Sequence, residues 1–369
     1  MVRRLLYLNG LAALGVVLNH TTAWAYTALF WWTDRYRAVS VPNFDQLGGG
    51  AYLSLRVIEQ VIIFTIPAFL FVSGFFIAVA AGRGQQALSW NVIGARIKNL
   101  VIPYLLWSFV MLALDFALGD VHSPLVYLRI LLTGGATPAF YYVPLLCQLY
   151  ILSPLLLRLA RTHWKPLFIG LLLFQVAILA ARYPQILGVQ HPLLDQVIAW
   201  TPGWFFPSRI FWFVFGLVIG LNLNTVKSWI YRFRWVFVGA AVVLFFLGLW
   251  EWELLYQYSG QEWIAPAETI TDNLFAGVFI LGLLAFEKSN VPMTSQISFL
   301  GSKSFGIYLV HSLVLEVTAR LVYHFAPGLL AFPELYVPLL FLLGLFVPLA
   351  LMAFVSRSPA RRFYTYQFG

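Results

Sequence analysis

His20 is the residue whose type could do the most chemistry near the start of this chain, set in the apolar stretch LLYLNGLAALGVVLNHTTAWAY. An ionisable group inside a membrane span is expensive, which makes it a functional candidate by default. A neutral imidazole there can accept the proton of an incoming hydroxyl; the plain alternative is a histidine hydrogen-bonded between helices. Arg56 and Glu59 lie three apart, and Glu316 and Arg320 lie four apart, each pair inside an apolar stretch. Each pair shares a helix face and can satisfy itself near the outer interface, or else line an acceptor pocket or orient His20. The six histidines, His20, His122, His163, His191, His311 and His324, show no HxxxH spacing, so no metal site is read. Cys147, the single cysteine, reads as a packing residue. Ser73 and Gly74 read as small residues that let helices approach or line a pocket, with no acidic partner to make a nucleophile of the serine.

The elements that must position these groups are membrane helices. The chain has 369 residues, 61% hydrophobic and 10% charged, against about 25% charged for a soluble domain. Ten stretches, near 5–31, 51–80, 99–118, 141–159, 166–182, 206–223, 235–250, 268–286, 304–325 and 335–355, are each long enough to cross as a helix, since a hydrocarbon core of about 30 Å needs roughly 20 residues. No stretch alternates like a barrel strand, so the expected fold is all-α: one bundle of about ten transmembrane helices over residues 1–369. The opening reads as a retained helix and not a cleaved signal, because its apolar run continues to Trp31. His20 then falls about 15 residues into that helix, about 22 Å from its inner end at about 1.5 Å per residue.

With the N-terminus inside, the inner side collects 16 of the 23 basic residues: Arg3, Arg4, Arg83, Arg96, Lys98, Arg158, Arg161, Lys165, Lys227, Arg232, Arg234, Lys288, Lys303, Arg357, Arg361 and Arg362. Glu287 is the only acid there, and 13 of the 14 acids lie outside. This asymmetry follows the positive-inside rule and predicts an inner-membrane protein with both termini cytoplasmic. The net charge of +9 is therefore a topology signal, and no nucleic-acid partner is expected. No internal repeat is visible, which weakens a transporter built from inverted repeats.

Several motifs, taken in order, resemble the membrane acyltransferase 3 family of integral-membrane carbohydrate O-acyltransferases. NGLAALGVVLNHTTAW is similar to its first helix, IPAFLFVSGFF (66–76) to its second and ARIKNLVIPYLLWSF (95–109) to its basic loop and third. FYYVPLLCQLYILSPLL (140–156) and LGSKSFGIYLVHSLVL (300–315) resemble two later segments. Each motif is weak alone; five in the right order are strong. Two positions depart from the family pattern. Asn9 stands where the family usually has arginine, and Arg96-Ile97-Lys98-Asn99 stands for its R-x-x-R.

The resemblance implies an enzyme that moves an acyl group, acetyl first among them, from acyl-CoA to a hydroxyl of a carbohydrate or lipid-linked glycan, with His20 as the catalytic base and no bound cofactor. Phosphates of the donor would dock at an inner basic face. Arg96 and Lys98 are the best pair for that, with Ser73 beside them, and Arg158, Arg161 and Lys165 form a second cluster. On the acceptor side Trp24, Tyr141, Tyr142, Gln148, His311, Glu316 and Arg320 are the candidates. Aromatic rings at the outer ends suit sugar stacking, although an interfacial belt explains most of them. His311, near the inner third of the ninth stretch, takes either a site role or a structural hydrogen bond. The rival reading is a transporter or flippase of a glycan that uses the same cavity without an acyl donor.

Overall fold

The computed structural model describes residues 2–82, 89–287 and 289–369. Arg83 and Lys288, both counted above on the inner side, lie outside the described residues. All ten expected stretches are helical. In chain order the helices are α1 (Val2–Tyr26), α2 (Gly50–Ile62), α3 (Thr65–Ala81), α4 (Trp90–Ala117), α5 (Pro124–Thr133), α6 (Tyr142–Thr162), α7 (Trp164–Ile186) and α8 (Pro192–Trp200). They continue with α9 (Ile210–Leu221), α10 (Leu223–Arg232), α11 (Arg234–Ser259), α12 (Ile270–Ala285), α13 (Thr294–Phe325), α14 (Pro333–Arg357) and α15 (Tyr364–Phe368). Local signals set several ends. Pro124 opens α5, whose C-terminus is closed by Gly134 in the left-handed region at φ 78°. Thr269 and Asp272 form a reciprocal capping box at the start of α12.

Ten spans is more than length and apolarity support. Among the described residues seven helices qualify as membrane-crossing, α2 and α3 counting together, and eight if α9 and α10 are one broken span, bent by 101°. The chain is thus an integral, multi-pass membrane protein. α12, at 16 residues, is short for a span. α1 is long enough but carries Asn9, Asn19, His20, Thr21 and Thr22. It can hold Asn9, His20, Thr21 and Thr22 because α2, α3, α13 and α14 pack around it and shield them in whole or in part, while Asn19 is exposed. α11 is the opposite case, with most of its apolar surface turned outward.

Glycines fix the two closest helix pairs. A Cβ on Gly10 would strike the Ile297 carbonyl, and one on Gly301 the Leu6 carbonyl, so the backbones of α1 and α13 are in contact. The two helices run parallel, Asn9 meeting Ser304 and His20 meeting His311 further along. Gly74 meets the Phe213 carbonyl and Gly216 the Phe71 carbonyl, which joins α3 to α9 in the same manner. Gly301→Ala should therefore cost about 1–3 kcal/mol through overpacking. Thermal unfolding in detergent checks this, with Gly239→Ala as the neutral control, because nothing lies within 4 Å of a Cβ at that position.

Contacts gather the basic residues at one end of the bundle. Arg4 donates to the carbonyls of Phe286 and Ser289 beyond α12, Lys227 pairs with Glu287, Arg161 donates to Gly82 O and Lys303 to the Tyr364 hydroxyl. We call this the basic end. The first turns of α1 and the last residues of the chain both lie there, Gly369 against Phe305.

Candidate functional site

Two cavities lie along α13. The one towards the basic end has a volume of about 250 Å³ and draws Asn9 from α1, Ser73 from α3, Arg96 from α4, Tyr142 and Tyr150 from α6, and Ser304 and Tyr308 from α13. Phenylalanine and leucine side chains fill the wall between them. The Arg96 guanidinium lies 5.8 Å from the centre of the Tyr150 ring, a cation held on an aromatic wall. Ser73 and Tyr142 face each other with hydroxyl oxygens 3.5 Å apart. Asn9 donates to Gly301 O at 2.9 Å and to Ser304 Oγ at 2.7 Å. It therefore clips α1 to α13 at the cavity wall, where a longer cationic side chain would reach into the space.

The second cavity, about 230 Å³, lies on the far side and is lined by His20 and Trp24 of α1, Thr27 of the π-helical turn that follows it, Thr137 of the loop before α6, and Ser312 and Glu316 of α13. The two share no lining residue. Between them stand Tyr308 and His311. The Tyr308 hydroxyl donates to Ala139 O at 2.7 Å, and the Tyr308 and His311 rings are 6.1 Å apart. The His311 and His20 rings are 5.2 Å apart. His311 is fully buried. Its Nδ1 lies 2.7 Å from Tyr308 O and 3.2 Å from Ile307 O. A carbonyl can only accept, so Nδ1 carries the proton and the Nε2 of the neutral ring keeps its lone pair. One imidazole is thus anchored to the backbone while its neighbour faces a cavity, an arrangement able to accept a proton and hold it away from lipid.

The structure redistributes the residues expected from sequence. Arg96, Ser73 and Tyr142 come together in the basic-end cavity; Lys98 is exposed and does not line it. His20, Trp24 and Glu316 come together in the far cavity. Arg320 pairs with Glu316 through a fork at 2.8 and 3.0 Å but is not a lining residue. Tyr141 and Gln148 line neither cavity. The Tyr141 ring packs by Gly203 and beneath the Arg209 guanidinium. Gln148 donates to Trp204 O at 2.8 Å and accepts from Phe206 N at 3.1 Å, clipping the segment after α8 to α6. His311 is also placed differently from expectation. α13 begins ten residues earlier than the apolar stretch that marked it, so His311 lies at mid-helix, level with His20.

Arg56 and Glu59 satisfy each other, as their spacing allows. Glu59 also accepts from the Tyr26 hydroxyl at 3.0 Å, Arg56 stacks 4.2 Å from Trp252, and the adjacent Gln60 donates to Asp272 at 3.0 Å. These bonds tie α1, α2, α11 and α12 together and are not directed at His20. Tyr150, Ser304 and Tyr308 were not singled out as site residues. Helical spacing carried the signal: Tyr142, Leu146 and Tyr150 follow each other at intervals of four on one face, as do Ser304 and Tyr308, while Tyr141 falls on another.

Comparison with known proteins agrees with this architecture in extent. A family model described as an acyltransferase domain matches residues 4–357. Among curated proteins, the chain is similar to the "Probable poly-beta-1,6-N-acetyl-D-glucosamine export protein" of Staphylococcus aureus strain MRSA252, 23% identical over 335 residues, covering 88% of this chain and 87% of the relative. The same protein from strain N315 matches to the same identity and coverage. No solved structure matches the chain significantly.

Proposed function

Because this chain belongs to the acyltransferase 3 family, we propose that it transfers an acyl group from acyl-CoA, acetyl-CoA first among donors, to a hydroxyl of a cell-surface carbohydrate or lipid-linked glycan. The observation that carries this reading is the pair of imidazoles, 5.2 Å apart, set where two cavities follow one another along the same face of α13, with His20 lining one of them. The donor lies in the basic-end cavity with Arg96 towards its anionic part and its thioester towards Tyr308. The acceptor lies in the far cavity against Trp24 and Glu316. The bland role of the imidazoles, a buried interhelical contact, explains His311 but not why His20 faces a cavity.

The hydroxyl oxygen attacks the thioester carbonyl, a C–O bond forms and the C–S bond breaks. His20 takes the hydroxyl proton, and the thiolate of coenzyme A leaves towards the basic end. The partition has to yield for the two to meet. Tyr308 is held across it by one hydrogen bond to Ala139 O, so a turn of that side chain would join the cavities beside His311. On this reading the basic end is cytoplasmic, the protein lies in the plasma membrane with both termini inside, and the acyl group crosses from an inner donor to an outer acceptor. The Staphylococcus relatives carry a polysaccharide in their name, which suits a glycan acceptor. Membranes given radiolabelled acetyl-CoA should label a glycan, and a preparation in which no glycan takes label from acetyl-CoA or another acyl-CoA would refute the proposal.

The word export in those relatives' names favours a second reading, in which the two cavities and their partition form a path for a glycan. That reading expects glycan movement in vesicles without any acyl donor.

A further inference from the structure

At the basic end, α3 and α6 continue past the Arg96 cavity to a second and larger hollow. It has a volume of about 580 Å³ and lies between Val79 and Gly82 of the α3 end, Arg161 and Trp164 at the α6–α7 junction, and Asn222 to Thr225 at the α9–α10 bend. One face of α6 lines both spaces, while α3 turns a different part of its surface to each. On α3, Phe76 belongs to the first and Val79 to the second, one helical turn on. On α6, Tyr150 belongs to the first and Arg161 to the second, about 16 Å further along at about 1.5 Å per residue. The two hollows therefore succeed one another along the shared wall of α6.

We propose that this larger hollow is the subsite for the phosphorylated nucleoside end of the acyl-CoA donor, a deepening that rests on the acyl-CoA reading above. The side chains match that chemistry. Arg161 is held in place by donating from Nη2 to Gly82 O at 2.6 Å, so its planar cation is already oriented in the wall, and guanidinium is the side chain best shaped for phosphate. Trp164 exposes 38% of its surface beside it, a ring on which a purine can stack. Lys165 lies 5.7 Å from that ring and adds positive charge. Asn222, Asn224 and Thr225 supply amides and a hydroxyl on the opposite wall. A donor laid along α6 would then rest its nucleotide here, run its pantetheine arm past Arg96 and present the thioester at Tyr308. Of the second basic cluster read from the sequence, Arg161 lines the hollow, Lys165 borders it through Trp164, and Arg158 is exposed elsewhere on α6.

A phosphate site at this end could also be filled by an anionic lipid headgroup, so the test separates the sources. Full-length protein in phosphatidylcholine nanodiscs, with and without phosphatidylglycerol, is titrated with acetyl-CoA and with adenosine 3′,5′-bisphosphate. The wild type should bind both, each displacing the other, with or without phosphatidylglycerol. Arg161→Ala and Trp164→Ala should each weaken both ligands about tenfold, the scale of one charge-assisted bond or one stacked base. Trp164 is half-exposed at a helix start, so its variant keeps the test alive should Arg161→Ala not fold. Unchanged binding in the variants would overturn the subsite, as would loss of bisphosphate binding whenever phosphatidylglycerol is present. If acetyl-CoA binds the wild type and only Arg96→Ala weakens it, the subsite alone fails; if acetyl-CoA does not bind at all, the acyl-CoA reading fails with it.

Discussion

His20→Ala should lower acyl transfer to glycan about a hundredfold to ten-thousandfold, the contribution usual for a positioned general base. The loss should appear in kcat, because the ring faces the far cavity and not the one assigned to the donor. Acyl-CoA binding and the unfolding midpoint should stay near wild type, since the α1–α13 seam is set by Gly10 and Gly301 and not by the imidazole. His311→Phe is the companion variant. It keeps a ring in the buried space but loses the Nδ1–H that donates to Tyr308 O and the free Nε2. If His20 accepts the proton, the two variants should separate, with His20→Ala the more severe. A His20→Ala protein with wild-type turnover in membranes would end the proposed chemistry.

Arg96→Ala should raise the KM for acyl-CoA about tenfold to a hundredfold, the range expected when a charge-assisted hydrogen bond of about 1.5–3 kcal/mol is removed. Turnover at saturating donor should change little, because Arg96 lies on the Tyr150 side of the cavity and Tyr308 on the side of the histidines. Arg96→Lys should recover only part of the loss, since an ammonium offers a point charge where guanidinium offers a fork. Lys98→Ala is the informative contrast. The sequence treats Arg96 and Lys98 as a pair, yet Lys98 is exposed outside the cavity, so its removal should leave KM unchanged. Steady-state kinetics in one nanodisc preparation compares all three variants.

The sequence by itself determined the solvent, the long helices and the family of this chain, but not the short helices α5, α8, α10 and α15. Composition demands lipid, ten apolar stretches demand helices, and each stretch is helical in the structure. Charge bias predicts the basic end, which contacts such as Lys227–Glu287 and Arg161–Gly82 then assemble. Spacing also suffices for groups that satisfy themselves within one helix, so Arg56–Glu59 and Glu316–Arg320 were legible in advance. What it could not give was the rotation of one helix against another. Tyr141 and Tyr142 are neighbours in the chain, but about 100° of helix turn separates consecutive residues at about 3.6 per turn. One packs beneath Arg209 while the other enters the cavity with Arg96. Length and apolarity support fewer than ten spans for a related reason. Apolarity reports contact with lipid, and α1, wrapped by four other helices, has little of it to report. The meeting of His20 with His311 joins residues 291 positions apart, and the glycine seam between α1 and α13, with the Asn9 clip beside it, sets the register that brings them level.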